Sequence, residues 1–277
     1  MYITNFIYDN ISLNDLGYVV CSFDKSSGGD ISNGSNIEFT TVPVNYGTRH
    51  LLANSAYPEC ITATFQICKD PCVANYSPAM TVEEISRLAS WLNRRDFHEL
   101  RVNAPGYEHI FFVGSFKSIS RYEFGGDTIG LTMEFVSNSP FALGDLVTET
   151  LEFHNASEQS PQQQTINFQT HVIGSRYPKV EVTCEAAGDL MLAFDYTGTG
   201  DLQDDMEVTV GDCSQNEVIT FDYPMVTSSL RRDIMSGYFN LWYPRLCNRL
   251  SDNANIIYAG SPCTVRIMYN PEYKISL

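Results

Sequence analysis

A two-residue alternation of apolar and polar side chains runs through most of this chain, and a single stretch with helical spacing interrupts it. Ile61, Ala63, Phe65 and Ile67 alternate with Thr62, Thr64, Gln66 and Cys68, and Ile129, Leu131, Met133 and Phe135 with Gly130, Thr132 and Glu134. Each run predicts a strand with one buried face. Phe111 to Phe124 is rich in aromatic and β-branched residues and leads into Gly125-Gly126, a pair that supplies the positive φ angles of a tight hairpin turn. The interruption runs from Thr81 to Arg95, where Ile85, Leu88, Ala89 and Leu92 recur at helical spacing. Thr81 and Glu84 fit a capping box. Arg94 and Arg95 are expected at the C-terminal end, where the helix dipole favours cations, and Trp91 is expected to anchor the helix to the sheet. A lone helix between strands predicts that it covers one face or end of an antiparallel sheet.

At 277 residues the chain holds one large domain or two of ordinary size. Pro140 follows the strand that ends at Val136, and Ser157 to Gln169 turns to Ser, Gln, Pro and Asn. A boundary is therefore expected near Phe141 to Leu146, giving domains 1–143 and 144–277. Beyond it, Val180 to Cys184, Leu190 to Tyr196, Met206 to Val210, Val218 to Tyr223, Asn255 to Tyr258 and Cys263 to Tyr269 are apolar runs separated by Gly, Asp, Asn and Ser. Short strands with regular turn signals predict a β-sandwich. The expected fold class is mainly β: an antiparallel domain with one α-helix, then the sandwich.

Charge narrows the partners. Lys plus Arg number 17 against 33 acidic residues, a net charge of −16, so phosphate backbones and anionic membrane surfaces should be repelled. No stretch approaches the roughly 18 apolar residues of a spanning helix. The start, Met1-Tyr-Ile-Thr-Asn-Phe, lacks the basic and apolar regions of a secretory signal. Synthesis in the cytosol is expected, with the eight cysteines as thiols.

A search for reactive chemistry yields no catalytic, cofactor or metal residues. Cys60, Cys68 and Cys72 lack the paired spacings of a zinc site. His50, His98, His109, His154 and His171 are scattered, with no H-E-x-x-H or H-x-E pattern, and the G-x-S-x-G elbow is missing. Asp201, Asp204 and Asp205 form the densest acidic loop, a calcium candidate by ligand type that reads more simply as a solvated turn. Gly28-Gly29 and Gly125-Gly126 are not placed to cradle a phosphate. In Tyr238-Phe-Asn-Leu-Trp-Tyr-Pro both parities carry apolar rings. A fully buried sandwich strand accounts for this more simply than an aromatic sugar-binding platform around Trp242.

Three features together resemble the distal tail proteins of long-tailed bacteriophages. The first is the start, Ile3 to Val20, with a strand, a polar turn ending in Gly17 and a second strand. The second is the helix, followed by Leu100 to Val102, Tyr107 and the hairpin that closes on Ser139-Pro140-Phe141-Ala142. The third is the C-terminal half: Tyr177-Pro178-Lys179-Val180, Val218 to Asp222, Phe239-Asn-Leu-Trp-Tyr-Pro, Asn255-Ile-Ile-Tyr and Val265 to Tyr273. The family often carries a glycine where Asn253 stands, and Asn also tolerates left-handed backbone. The resemblance implies a structural hub. In that family the N-terminal domain forms a hexameric ring continuing the tail tube and a galectin-like C-terminal sandwich holds receptor-binding or baseplate components, and the resemblance implies the same arrangement here. It implies a homo-oligomer with tail tube and tail-tip proteins as partners, no cofactor and no enzyme activity, in the virion after synthesis in the host cytoplasm. Ser26 to Asn36 and Val42 to Ser55 are candidates for intersubunit arms or, equally, for ordinary surface loops. The alternative is a carbohydrate-binding protein that uses the sandwich for host-surface glycans.

Overall fold

The computed structural model describes residues 3–23, 36–44, 49–72, 77–197, 199–200, 202–203, 206–231, 233–235, 238–249 and 252–277. The chain divides into two compact units, Met1–Asp145 with Glu272–Leu277, and Leu146–Pro271. The C-terminal segment, assigned by sequence to the second domain, thus belongs to the first. Its strand Glu272–Tyr273 pairs antiparallel with Ala142–Gly144, which also pairs with Ile110–Phe124, and the Tyr107 hydroxyl donates to the Ser276 carbonyl at 2.7 Å. These backbone bonds join positions far apart in sequence, so no local pattern announces them.

The main sheet of the first unit is antiparallel and runs in the order Ile11–Ser12, Asn5–Tyr8, His98–Asn103, Ile110–Phe124, Asp127–Ser137, Thr62–Lys69, Tyr18–Cys21. The alternation predicted for the 61–68 and 129–135 runs is observed: Ile61, Phe65, Ile67, Leu131, Met133 and Phe135 are buried. Gly125 and Gly126 adopt φ of 65° and 93°, and Phe124 pairs directly with Asp127, which is the predicted hairpin. Phe6 packs between Phe65 at 5.4 Å and Phe116 at 5.7 Å, centroid to centroid. Each such ring contributes about 1.5–3 kcal/mol by leaving water.

The helix, Val82–Leu92, has the predicted capping box: the Glu84 amide donates to Thr81 Oγ1 at 3.2 Å, and the Thr81 amide donates to Glu84 Oε2 at 2.7 Å. Ile85, Leu88 and Leu92 face the core. Trp91 stacks on Phe6 at 6.1 Å and donates its indole N–H to the Tyr8 carbonyl at 3.3 Å, so it anchors the helix as expected. Arg94 and Arg95 are not in the last turn, which holds no basic residue. The helix stops at Asn93, whose side-chain amide donates to the Phe116 carbonyl at 2.8 Å, and Arg94 instead pairs with Asp9 at 2.9 Å.

The second unit is the predicted sandwich. One sheet runs Val147–Phe153, Cys263–Tyr269, Lys179–Cys184, Val218–Asp222, Met225–Ser228; the other runs Gln162–Asn167, Ala254–Ala259, Gly188–Asp195, Glu207–Cys213. Val180, Val182, Ile219, Phe221, Val265 and Ile267 meet Leu190, Leu192, Phe194, Val208, Val210 and Ile257 in one core. The polar stretch Ser157 to Gln169, which follows the expected boundary, contains the edge strand Gln162–Asn167, with Ile166 and then Phe168 buried. Polar side chains suit an edge strand that must not recruit other strands.

Candidate interaction surfaces

The residues predicted to be chemically inert are dispersed. Cys60 and Cys72 are exposed on either side of the strand Thr62–Lys69, whose length of roughly 25 Å separates them. His98 lies between Asp9 at 3.2 Å and Asp96 at 2.7 Å. His109 lies beside Asp145 at 3.1 Å. His154 lies beside Glu185 at 2.8 Å, and hydrogen bonding to that carboxylate raises its pKa. Asp201, Asp204 and Asp205 lie outside the described residues, as do all of 26–36 but Asn36. Among the described residues no group of three His, Cys, Asp or Glu side chains is placed to hold a metal ion. The loop that leads to the acidic cluster is shaped by Asp195, a buried carboxylate that accepts from the Thr197 amide at 3.0 Å, the Thr197 hydroxyl at 2.7 Å and the Gly200 amide at 2.8 Å.

Two apolar surfaces stand out instead. In the first unit, Glu38–Val44 and Arg49–Ala56 pair with each other and form a separate two-stranded sheet. Every side chain of the two strands except Val44 is exposed. Phe39, Leu51 and Leu52 are each 60% exposed, and Val42 lies directly across from Leu51. A lone two-stranded hairpin is at best marginally stable in water. This one is rooted at its end by Tyr57, which makes an edge contact with Phe141 at 4.8 Å under the Lys274 ammonium. From Asn36 to Ala56 the sequence carries only Glu38 and Arg49 as charged residues, so in a chain of net charge −16 the arm is neutral. The two strands span the segment Val42 to Ser55, expected from the sequence as an intersubunit arm or a surface loop.

In the second unit the aromatic segment differs from its predicted form. Residues 238–243 are not a buried strand: Phe239 is buried and bridges to Val210, while Leu241 is 60% and Trp242 42% exposed. Asn240 breaks the run. Its Nδ2 donates to the Glu207 carbonyl at 2.8 Å, its Oδ1 accepts from the Trp242 amide at 3.3 Å, and Leu241 takes φ of 66°. Such Asx turns offer the backbone a local alternative to the ladder. Nearby, Tyr177 stacks on Tyr223 at 4.3 Å, Tyr243 meets Tyr223 edge-on at 5.1 Å, and Arg245 lies over the Tyr177 and Tyr196 rings. The Tyr243 hydroxyl is tied to the Pro224 carbonyl at 2.7 Å. With Met225 exposed as well, the group is an aromatic surface of the kind enriched in protein contacts.

A one-helix antiparallel β unit followed by a β-sandwich, with apolar side chains turned outward on each, defines the class. Residues 1–139 match the phage tail protein N-terminal domain and residues 144–269 the phage tail C-terminal domain. The chain belongs to this phage tail protein family. Its fold is similar to the Dit protein of phage SPP1, described as a paradigm of the hub adsorption apparatus in phages infecting Gram-positive hosts. The two share 12% identity over 97% of this chain and 99% of that one, with a TM-score of 0.68. A chain of the phage p2 baseplate in its activated conformation with calcium aligns over 97% of this chain and 98% of that one at 8% identity and a TM-score of 0.48. No curated protein matches the sequence.

Proposed function

We propose that this phage tail protein is a distal tail component of the virion. Its first unit closes into a hexameric ring between tail tube and tail tip, and its second unit holds receptor-binding or other baseplate components. The observation that carries this reading is the neutral, self-paired arm with Phe39, Val42, Leu51 and Leu52 in solvent. An element that does not bury its own apolar side chains is stabilised by a partner, and a head-to-tail contact between identical copies generates a closed ring when the rotation permits. Neutrality lets the arm approach an acidic neighbour without like-charge repulsion. The number six comes from the resemblance to distal tail proteins, as do the tube and tip partners. The excess negative charge suits a lumen through which DNA slides without adsorbing. The role is structural, without catalysis.

The test is assembly of the purified chain, followed by light scattering and negative-stain imaging, alone and with tail tube protein. Sixfold rings are expected. A persistent monomer that binds neither tube nor tip protein refutes the reading. A second reading, glycan binding by the sandwich, is favoured by the exposure of Trp242 and Tyr223, since sugars stack on open aromatic faces. A glycan array or cell-wall pulldown decides it: binding lost on Trp242→Ala with the fold intact supports it.

A further inference from the structure

Three cysteines are buried together at one end of the sandwich, and two of them come from opposite sheets. Cys184 ends the strand Lys179–Cys184 in one sheet, Cys213 ends Glu207–Cys213 in the other, and each is 3% exposed. The turn that follows Cys213 lies against Cys184: the Cys184 amide donates to the Glu217 carbonyl at 2.9 Å and the Asn216 amide donates to the Cys184 carbonyl at 2.7 Å. Cys263 stands across from Cys184 in the adjacent strand and is fully buried.

Charge singles out Cys213. Arg231 Nη2 donates to its sulfur at 3.5 Å, and Arg231 is itself fixed by Glu217 Oε1 at 2.7 Å and the Gly211 carbonyl at 2.9 Å. The neighbouring Cys184 thiol, then the guanidinium, draw the Cys213 thiol below its ordinary pKa against the effect of burial. The neighbouring Cys213 thiol, then burial, push Cys184 up, and burial pushes Cys263 up to about 12. Thiolate character is what makes a cysteine nucleophilic, and the Arg231 guanidinium held against its sulfur marks Cys213 as the attacking one.

We propose that Cys184 and Cys213 are an oxidisable dithiol that closes into a disulfide between the two sheets on exposure to hydrogen peroxide. The Cys213 thiolate attacks one peroxide oxygen, the O–O bond breaks, and Cys213 sulfenic acid and hydroxide result. The Cys184 sulfur then displaces hydroxide from the sulfenic sulfur. The S–S bond forms, and the thiol proton leaves with the hydroxide as water. Two electrons pass from the two sulfurs to the peroxide. Ala186, Ala187, Ser214, Gln215 and Asn216, in the turns that follow the two cysteines, are exposed, so local opening of these turns admits a small oxidant. The bond would cross-link the chain from 184 to 213, and it concerns the second unit alone, whether or not the chain forms a ring.

The experiment treats the full chain with hydrogen peroxide, alkylates the remaining thiols and maps peptides without reduction. The expected product is a Cys184–Cys213 linked peptide, reversed by a thiol reductant. A loop of this length raises the second unit's unfolding midpoint by about 10 °C relative to the reduced chain. In Cys184→Ser, Cys213 should instead accumulate as a sulfenic acid that dimedone traps, while Cys263→Ser still forms the bond. Should Cys184→Ser fail to fold, the wild-type map alone decides. A Cys184–Cys263 link, or Cys213 recovered fully alkylated from a folded, peroxide-treated chain, overturns the proposal.

Discussion

Replacing Phe39, Leu51 and Leu52 together by serine separates association from folding. All three are 60% exposed on a hairpin whose strands pair with each other. Complete burial of such a side chain is worth about 1.5–3 kcal/mol, so burying the remaining surface in a contact between copies yields about 1–2 kcal/mol each, or about 3–5 kcal/mol for the three. At 1.4 kcal/mol per tenfold, each ring contact should weaken by about 100- to 3,000-fold. The folded monomer should hardly notice, because little intrachain burial is lost. Sedimentation velocity over a concentration series reads the first quantity and thermal unfolding of the dilute chain the second. If the triple variant assembles at wild-type concentrations, the arm is not the adhesive element. If instead its monomer melts well below wild type, the hairpin is part of the fold and the exposure argument fails.

Glu217 is fully buried and accepts from the Ser214 amide, the Ser228 hydroxyl and Arg231. Burial alone pushes its pKa up, but these donors outweigh burial and hold it below the ordinary carboxylate range. Its stabilising contribution is therefore complete above the unfolded value of about 4.3 and is lost as the pH falls towards the lower folded value. Glu217→Gln leaves Arg231 without its carboxylate and should cost about 3–5 kcal/mol at neutral pH, with a flatter acid limb in denaturant titrations. A Trp242→Ala variant should lose less than about 1 kcal/mol by the same titrations, since the ring is 42% exposed on a turn and surface changes are usually small. Loss of several kcal/mol would mean the ring is packed. At Gly114 an added Cβ would meet the Val136 carbonyl, the Phe135 ring and the Ser137 Cα. Gly114→Ala should thus cost about 1–3 kcal/mol, seen as a lower midpoint for the first unit.

The strands and the helix were legible because their signals are local. Period-two burial in 61–68 and 129–135, the Thr81–Glu84 box and the Gly125-Gly126 turn each need only neighbouring residues. The segment 238–243 was misread for the same reason in reverse. Its hydrophobicity pattern suits a buried strand, but an Asn side chain bonded to Glu207, far along the chain, turns it outward. The polar composition of 157–169 does not reveal the edge strand Gln162–Asn167 within it, because composition does not distinguish a loop from an edge strand.

By itself the sequence determined the β-rich character, the single capped helix and the sandwich, since side-chain periodicity and turn chemistry are fixed by adjacent residues. It also supplied the residues that resemble a distal tail protein. Only the tertiary structure decided that the C-terminal strand joins the first unit, that the 38–56 hairpin pairs with itself and leaves Phe39 and Leu51 in water, and that the turn after Cys213, in one sheet, lies against Cys184 at the end of a strand of the other. The first and third depend on which backbone groups far apart in the chain satisfy one another; the hairpin's two strands are neighbours in sequence, but its separation from the main sheet depends on which distant strands that sheet takes up.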